Sequence, residues 1–242
     1  NYTASNMVIG VYGDITPKDL KKMAKKYFSR IPKGQRNLPI VTVEPKQAGE
    51  KTMVLYENSQ PWLVLGYHCP SVRHEDFLKF NVLSNIFTNG RTSRLNKKMV
   101  IEDKSAMAML SFTGLPGDKY PALYILFVLP NAGHKTGDLL KIVDEGIEKL
   151  KNEPVSEEEL ETAKIRLKVS RINAMKTRIG FLMNLLGAEV KRGSWNKAFE
   201  DIDDIDKITV KDIQDLANKY FTRNNRNVIR IEKTEDKKEV KK

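Results

Sequence analysis

Cysteine is nearly absent: Cys69 stands alone among 242 residues. An internal disulfide is excluded, and stability must come from a packed core. Such usage suits a reducing compartment without excluding an exported protein of this size. Cys69 follows the apolar run Trp62–Tyr67 and reads as a small core residue. Histidine is scarce as well, with only His68, His74 and His134. No two of them stand three or four apart, so no helix can turn a pair of imidazoles toward one metal ion. Glu75 follows His74, but Leu78 occupies the position where a second imidazole would be needed. His68 falls in a strand-like run and His74 near a helix start. Long apolar runs are also missing: Tyr124–Leu129 is among the longest and far too short to cross a bilayer. The chain opens on Asn1 without a basic start leading into an apolar segment, which by itself does not decide export.

What is present is a globular balance, 40% apolar and 30% charged, enough for one large domain or two small ones. The net charge of +11 is spread along the chain. Acids accompany the lysine-rich helices, and no aromatic-studded basic motif occurs, so a solvated surface is favoured over a nucleic-acid site. Neither nucleic acid nor membrane insertion is expected.

Alternation in Asn6–Tyr12 predicts a buried strand. Thr16 as N-cap and Pro17 at the first helical position open a helix to about Arg30. Residues 33–50, polar and holding Pro39 and Pro45, read as a linker and the best domain boundary. Thr52–Tyr56 and Trp62–His68 have hairpin spacing. A largely buried helix is predicted for His74–Phe87, then a break at Thr88-Asn-Gly90 and a short helix over Ser93–Val100. Ala106–Thr113 and Leu123–Leu129 read as an antiparallel pair turning through Gly114–Asp118. Another helix covers Lys135–Asn152. Ser156 and Glu159 form a capping box for a long helix reaching toward Val190, with breaks expected at Gly180 or Gly187. Thr209 caps a last helix, and Asn227–Glu232 is a closing strand. The pattern predicts an α+β fold, an antiparallel-rich sheet covered on one face by helices. One internal likeness links Thr16–Phe28 with Thr209–Phe221, and another links Tyr2–Val8 with Tyr220–Ile229. Either amphipathic helices converge here, or the chain starts inside one copy of a repeated unit and ends with another.

Taken in order, these segments resemble the pitrilysin/insulinase family of zinc peptidases, in particular its bacterial and mitochondrial processing peptidase branch. The carriers are Asn6-Met-Val-Ile-Gly-Val-Tyr-Gly-Asp14, Lys26-Tyr-Phe-Ser-Arg-Ile-Pro32, Leu65-Gly-Tyr-His-Cys-Pro70, Asp76–Phe87 and Asn89-Gly-Arg-Thr-Ser-Arg-Leu95. Glu158-Glu-Leu-Glu-Thr-Ala-Lys164, Gly193-Ser-Trp195 and Lys219-Tyr-Phe221 continue the likeness. It implies that 1–32 ends a preceding homologous domain, 33–50 links, 51–232 is the inactive second domain, and 233–242 is a disordered tail.

Active members of that family hold zinc through an inverted HxxEH motif and a distant Glu, a pattern absent here. The resemblance therefore implies a non-catalytic partner that closes a peptide chamber against an HxxEH-bearing domain or subunit, with zinc held there. Family second domains often carry an Arg and a Tyr seven residues apart that assist catalysis; the matching positions are Val100 and Met107, neither of which donates a side-chain hydrogen bond. Asn89 and Gly90 would form a lip of the chamber or simply end a helix. Arg94 would meet peptide carbonyls and carboxylates, or form an interdomain salt bridge. The alternative implied function is a scaffold like the core subunits of mitochondrial ubiquinol–cytochrome c reductase. The implied location is bacterial periplasmic or otherwise exported.

Overall fold

Runs rich in β-branched, leucine and aromatic residues become strands, and the capped amphipathic stretches become helices. The computed structural model describes residues 2–35, 38 and 40–234. Among them the helices are α1 (Pro17–Phe28), α2 (Glu75–Phe87), α3 (Arg94–Asn96), α4 (Thr136–Asn152), α5 (Glu157–Ala174), α6 (Arg178–Arg192), α7 (Lys197–Asp206) and α8 (Val210–Tyr220). The strands are β1 (Lys51–Glu57), β2 (Trp62–Cys69), β3 (Ala106–Leu115), β4 (Ala122–Pro130) and β5 (Arg226–Lys233). The chain divides into two compact units, Asn1–Pro45 with Arg171–Phe199, and Lys46–Ser170 with Glu200–Lys242.

The larger unit holds the sheet, ordered β1-β5-β2-β4-β3. Only β1 and β5 run parallel; the other neighbours are antiparallel. The expected hairpin of β1 with β2 does not form, because β5 enters between them and pairs with both. The four residues 58–61 easily cross the two strand spacings involved, roughly 10 Å. One face of the sheet is buried, through Leu63, Leu65, Tyr67, Tyr124, Leu126, Val128 and Val228. It packs on α2, α4 and α8, whose buried residues include Phe80, Phe87, Val143, Ile147, Ile213 and Leu216. The fold is α+β with an antiparallel-rich sheet, and α5 is the long helix following Ser156.

Capping was legible residue by residue. Glu159 N–H donates to Ser156 Oγ at 3.1 Å while Ser156 N–H donates to the Glu159 carboxylate at 3.0 Å. Thr209 and Asp212 form a second such box. The long helix, however, ends at Ala174 and restarts at Arg178, so neither glycine makes the break. Gly180 lies in the first turn of α6, where its N–H donates to the Thr177 cap. A Cβ there would lie 2.1 Å from the Ala174 carbonyl oxygen, whereas a Cβ on Gly187 meets nothing within 4 Å. Gly180→Ala should therefore destabilise the smaller unit by about 1–3 kcal/mol. Gly187→Ala, in open helix interior, should stabilise it by roughly 0.5–1 kcal/mol. Opposite shifts in the urea midpoint check the pair; equal shifts would contradict this account of the break.

In the smaller unit Met7 itself is extended, but Met7–Tyr12 forms neither helix nor strand. It lies along α6 instead: a Cβ on Gly10 would stand 2.6 Å from Leu182 Cδ1, and the Tyr12 and Phe181 rings are 5.9 Å apart. The predicted burial is not found, since Met7, Ile9 and Val11 are exposed. Alternation reports extended backbone, not what covers it. The internal likeness extends to conformation. Single 3₁₀ turns at Ala4–Asn6 and Arg223–Asn225 are each followed by a residue at φ −111°, ψ 139°. The described part of 33–50 carries no helix or strand, while Arg36, Asn37 and Pro39 lie outside the described residues. Of the predicted tail, Lys233 belongs to β5 and 235–242 lie outside the described residues.

Candidate functional site

Among the described residues no helix buries the second face of the sheet, yet it is as apolar as the first. Register lines its side chains into rows across all five strands. Met53, Ile229, Val64, Phe127 and Leu110 form one row. Leu55, Ile231, Trp62, Leu129 and Ala108 form the next, and Lys51, Asn227, Gly66, Ile125 and Phe112 the third. Met53 is 55% exposed, Leu110 53% and Phe112 44%. Edge-to-face contacts join Trp62 to Phe127 at 6.4 Å and Phe112 to Phe127 at 5.9 Å. These rows were not singled out from sequence. The signal was available: in Ala106–Phe112 and Leu123–Leu129 nearly every residue is apolar, so both alternating sets, hence both faces, had to be apolar.

The stretch after α2 is tied down by its own side chains. Asn89 Oδ1 accepts from the Ser111 N–H and hydroxyl, each at 3.3 Å, fastening the helix end to β3. Gly90 takes φ +99°, which favours glycine, and a Cβ there would meet the Arg166 guanidinium at 3.2 Å. Arg166 in turn donates to Thr92 Oγ1 at 2.6 Å. Arg94 forms a two-pronged pair with Glu159, Nε to Oε1 and Nη2 to Oε2, both 2.8 Å. Both partners belong to the larger unit, so the pair fastens α3 to α5 within it. A cavity of about 760 Å³ opens beside this pair, lined also by Lys97, Lys98, Lys149, Glu145 and Glu158.

Hydrogen bonds from Arg94, and behind them from Ser156 N–H, hold the Glu159 carboxyl at about 2, below its ordinary 4.5. A lowered carboxyl pKa adds stability that is complete above the unfolded value and lost as pH falls through the folded one. Glu159 should therefore contribute fully above about pH 4.5 and lose its contribution toward pH 2. Glu159→Gln should flatten this part of the acid unfolding curve, read by circular dichroism; an unchanged slope would count against the pair.

Val100 sits in the π-helical turn Lys97–Glu102 and packs half-buried against the core. Met107, 58% exposed, is the extra residue of a β-bulge between Ala106 and Ala108. Asn89, Gly90 and Arg94 thus share one stretch, with Arg94 on the cavity, whereas Val100 joins the core and Met107 the surface of β3.

The histidines are placed separately. His68 pairs with Leu123 across β2 and β4. His74 caps α2, its Nδ1 accepting from Asp76 N–H at 3.1 Å. His134 follows β4, before α4. Among the described residues no three His, Cys, Asp or Glu side chains could hold a metal ion; the donor set does not fit zinc. No described helix is long and apolar enough to cross a membrane. Cys69 is buried in the core, which pushes its thiol up to about 11.

These features define an α+β domain with one open apolar sheet face and no metal-ligating cluster among its described residues. The family described as the peptidase M16 inactive domain matches residues 1–167, and the chain belongs to it. The zinc protease PqqE of Helicobacter pylori is 25% identical over 229 residues, 91% of this chain and 50% of that protein. The crystal structure of a protease from H. pylori superposes with a TM-score of 0.81 at 22% identity, covering 91% of this chain and 53% of that one. A peptidase M16 inactive domain from Pseudomonas fluorescens gives 0.74 at 19% identity, covering 92% and 52%. The chain spans about half the length of the curated relatives it matches.

Proposed function

We propose that this chain is the non-catalytic half of a zinc metallopeptidase, closing a peptide-holding chamber against an HxxEH-bearing domain or subunit. The observation that carries the reading is the open apolar sheet face, a wall broad enough to lie along a peptide. Membership of the inactive-domain family and the zinc protease names of its relatives support it. Zinc, the attacking water and the general base belong to the partner. This half confines and orients the peptide, which is the source of large rate effects when geometry is held. Residues 1–32 are then the end of a preceding homologous domain, 33–50 the linker and 51–232 the inactive domain. Of the five positions expected near substrate, Met107 suits direct apolar contact, whereas Asn89, Gly90 and Arg94 hold their segment in place and Val100 supports it from the core.

Mixing this chain with the HxxEH-bearing polypeptide should raise hydrolysis of a quenched fluorescent peptide about a hundredfold over that polypeptide alone. Unchanged turnover would sink the reading. A scaffold function is the second reading, favoured by the apolar character of Val100 and Met107. It predicts copurification with subunits lacking HxxEH and no effect on hydrolysis.

A further inference from the structure

Resting on the chamber reading, we propose that the open sheet face selects its occupant: an extended peptide segment that is apolar and free of basic residues. The three rows described above contain one ionised side chain, Lys51, at the β1 rim, and no carboxylate; the next row of this face sets Glu57 beside Lys233, so its ionised groups are two lysines and one acid. This contrasts with a chain in which 30% of residues are charged. An apolar segment laid here removes its own surface and that of Met53, Val64, Phe127 and Leu110 from water. A lysine or arginine over these rows loses hydration and finds no acid partner within them, with Lys51 repelling it; Glu57, in the next row, stands opposite Lys233. An acidic flank meets Lys51 favourably. Charge complementarity therefore admits apolar and acid-flanked segments and rejects basic ones. The scale fits a peptide: five strands at about 4.8 Å spacing are crossed by roughly six residues of extended chain. Gly66 leaves the middle of the third row without a side chain, and a Cβ there would reach Leu123 at 3.7 Å.

The test measures binding of fluorescein-labelled peptides to this chain by anisotropy, without any zinc half. Three peptides share acidic flanks and differ at one central position, leucine, glutamate or lysine. The leucine peptide should bind about tenfold or more tighter than the lysine peptide. Leu110→Glu, at a half-exposed site where folding is spared, should weaken the leucine peptide and improve the lysine one. Met53→Glu should do the same. Equal affinities for all three peptides, or variants without effect, overturn the proposal. So does self-association in sedimentation that Leu110→Glu abolishes, since the occupant is then a second copy. Failure of the chamber reading is seen separately, as hydrolysis that does not need this chain.

Discussion

Phe221→Ala should cost the larger unit about 3–5 kcal/mol, the range for emptying a packed aromatic site. Phe221 is 2% exposed at the end of α8. Its ring lies 4.8 Å from Tyr67, 5.5 Å from Tyr124, 6.2 Å from Phe80 and 6.4 Å from Phe87. It thereby joins β2, β4, α2 and the turn into β5, and no neighbour can collapse into its place without leaving another gap. The expected signature is a lower urea midpoint with little change in slope. Phe28 is the natural control. It ends α1, the helix that repeats the α8 pattern, yet it is 48% exposed. Phe28→Ala should stay within roughly 0.5 kcal/mol of the parent chain. Equal losses in the two variants would mean that α8 is not anchored through Phe221. The comparison separates what two similar stretches share in sequence from what only one of them buries.

That contrast also marks how much was legible beforehand. Thr16, Ser156 and Thr209 were correctly read as helix starts because a cap acts over three residues, within reach of local pattern. The pairing of β1 was misread for the opposite reason. Its partner β5 lies far along the chain, and the short 58–61 loop suggested a neighbour that the sheet does not use. Helix α7 was missed, although Ala198, Ile202 and Ile205 repeat at helical spacing and Ala198 and Ile205 are buried. Arg94 stood out as chemistry-bearing, but its partner Glu159 is 65 residues away, beyond what spacing conveys. The open face was written in β3 and β4, where both alternating sets are apolar. Seeing it required asking which set the helices leave uncovered.

Arg226→Met should destabilise the larger unit by about 3 kcal/mol and loosen the entry to β1. The guanidinium, only 6% exposed, donates from Nε to Glu50 at 2.7 Å and from Nη1 to Asp144. Nη1 also reaches the Tyr67 hydroxyl at 3.5 Å. Burial opposes the charge, but the bonds to Asp144, Tyr67 and Glu50 keep its pKa above the ordinary arginine value. Burial likewise raises the Tyr67 hydroxyl to about 12, so it remains a neutral partner. Removing one member of such a pair costs about 3–5 kcal/mol because the remaining charge is stranded. Here the lower end applies, since the Glu50 and Asp144 side chains are 24% and 33% exposed and reach water. Adding Glu50→Gln and Asp144→Asn to Arg226→Met should restore part of the loss by removing the stranded carboxylates. The same arginine also fixes the chain locally: its carbonyl accepts from Gln47 Nε2 at 2.7 Å, beside the Glu50 bond, so residues 47–50 are pinned to β5 from two sides. Trypsin should then cut Arg226→Met faster at Lys46 and Lys51 than the parent chain, under conditions where both stay folded. Faster cutting with unchanged stability would make Arg226 a local clamp, whereas loss of stability without faster cutting would confine its role to the buried pair.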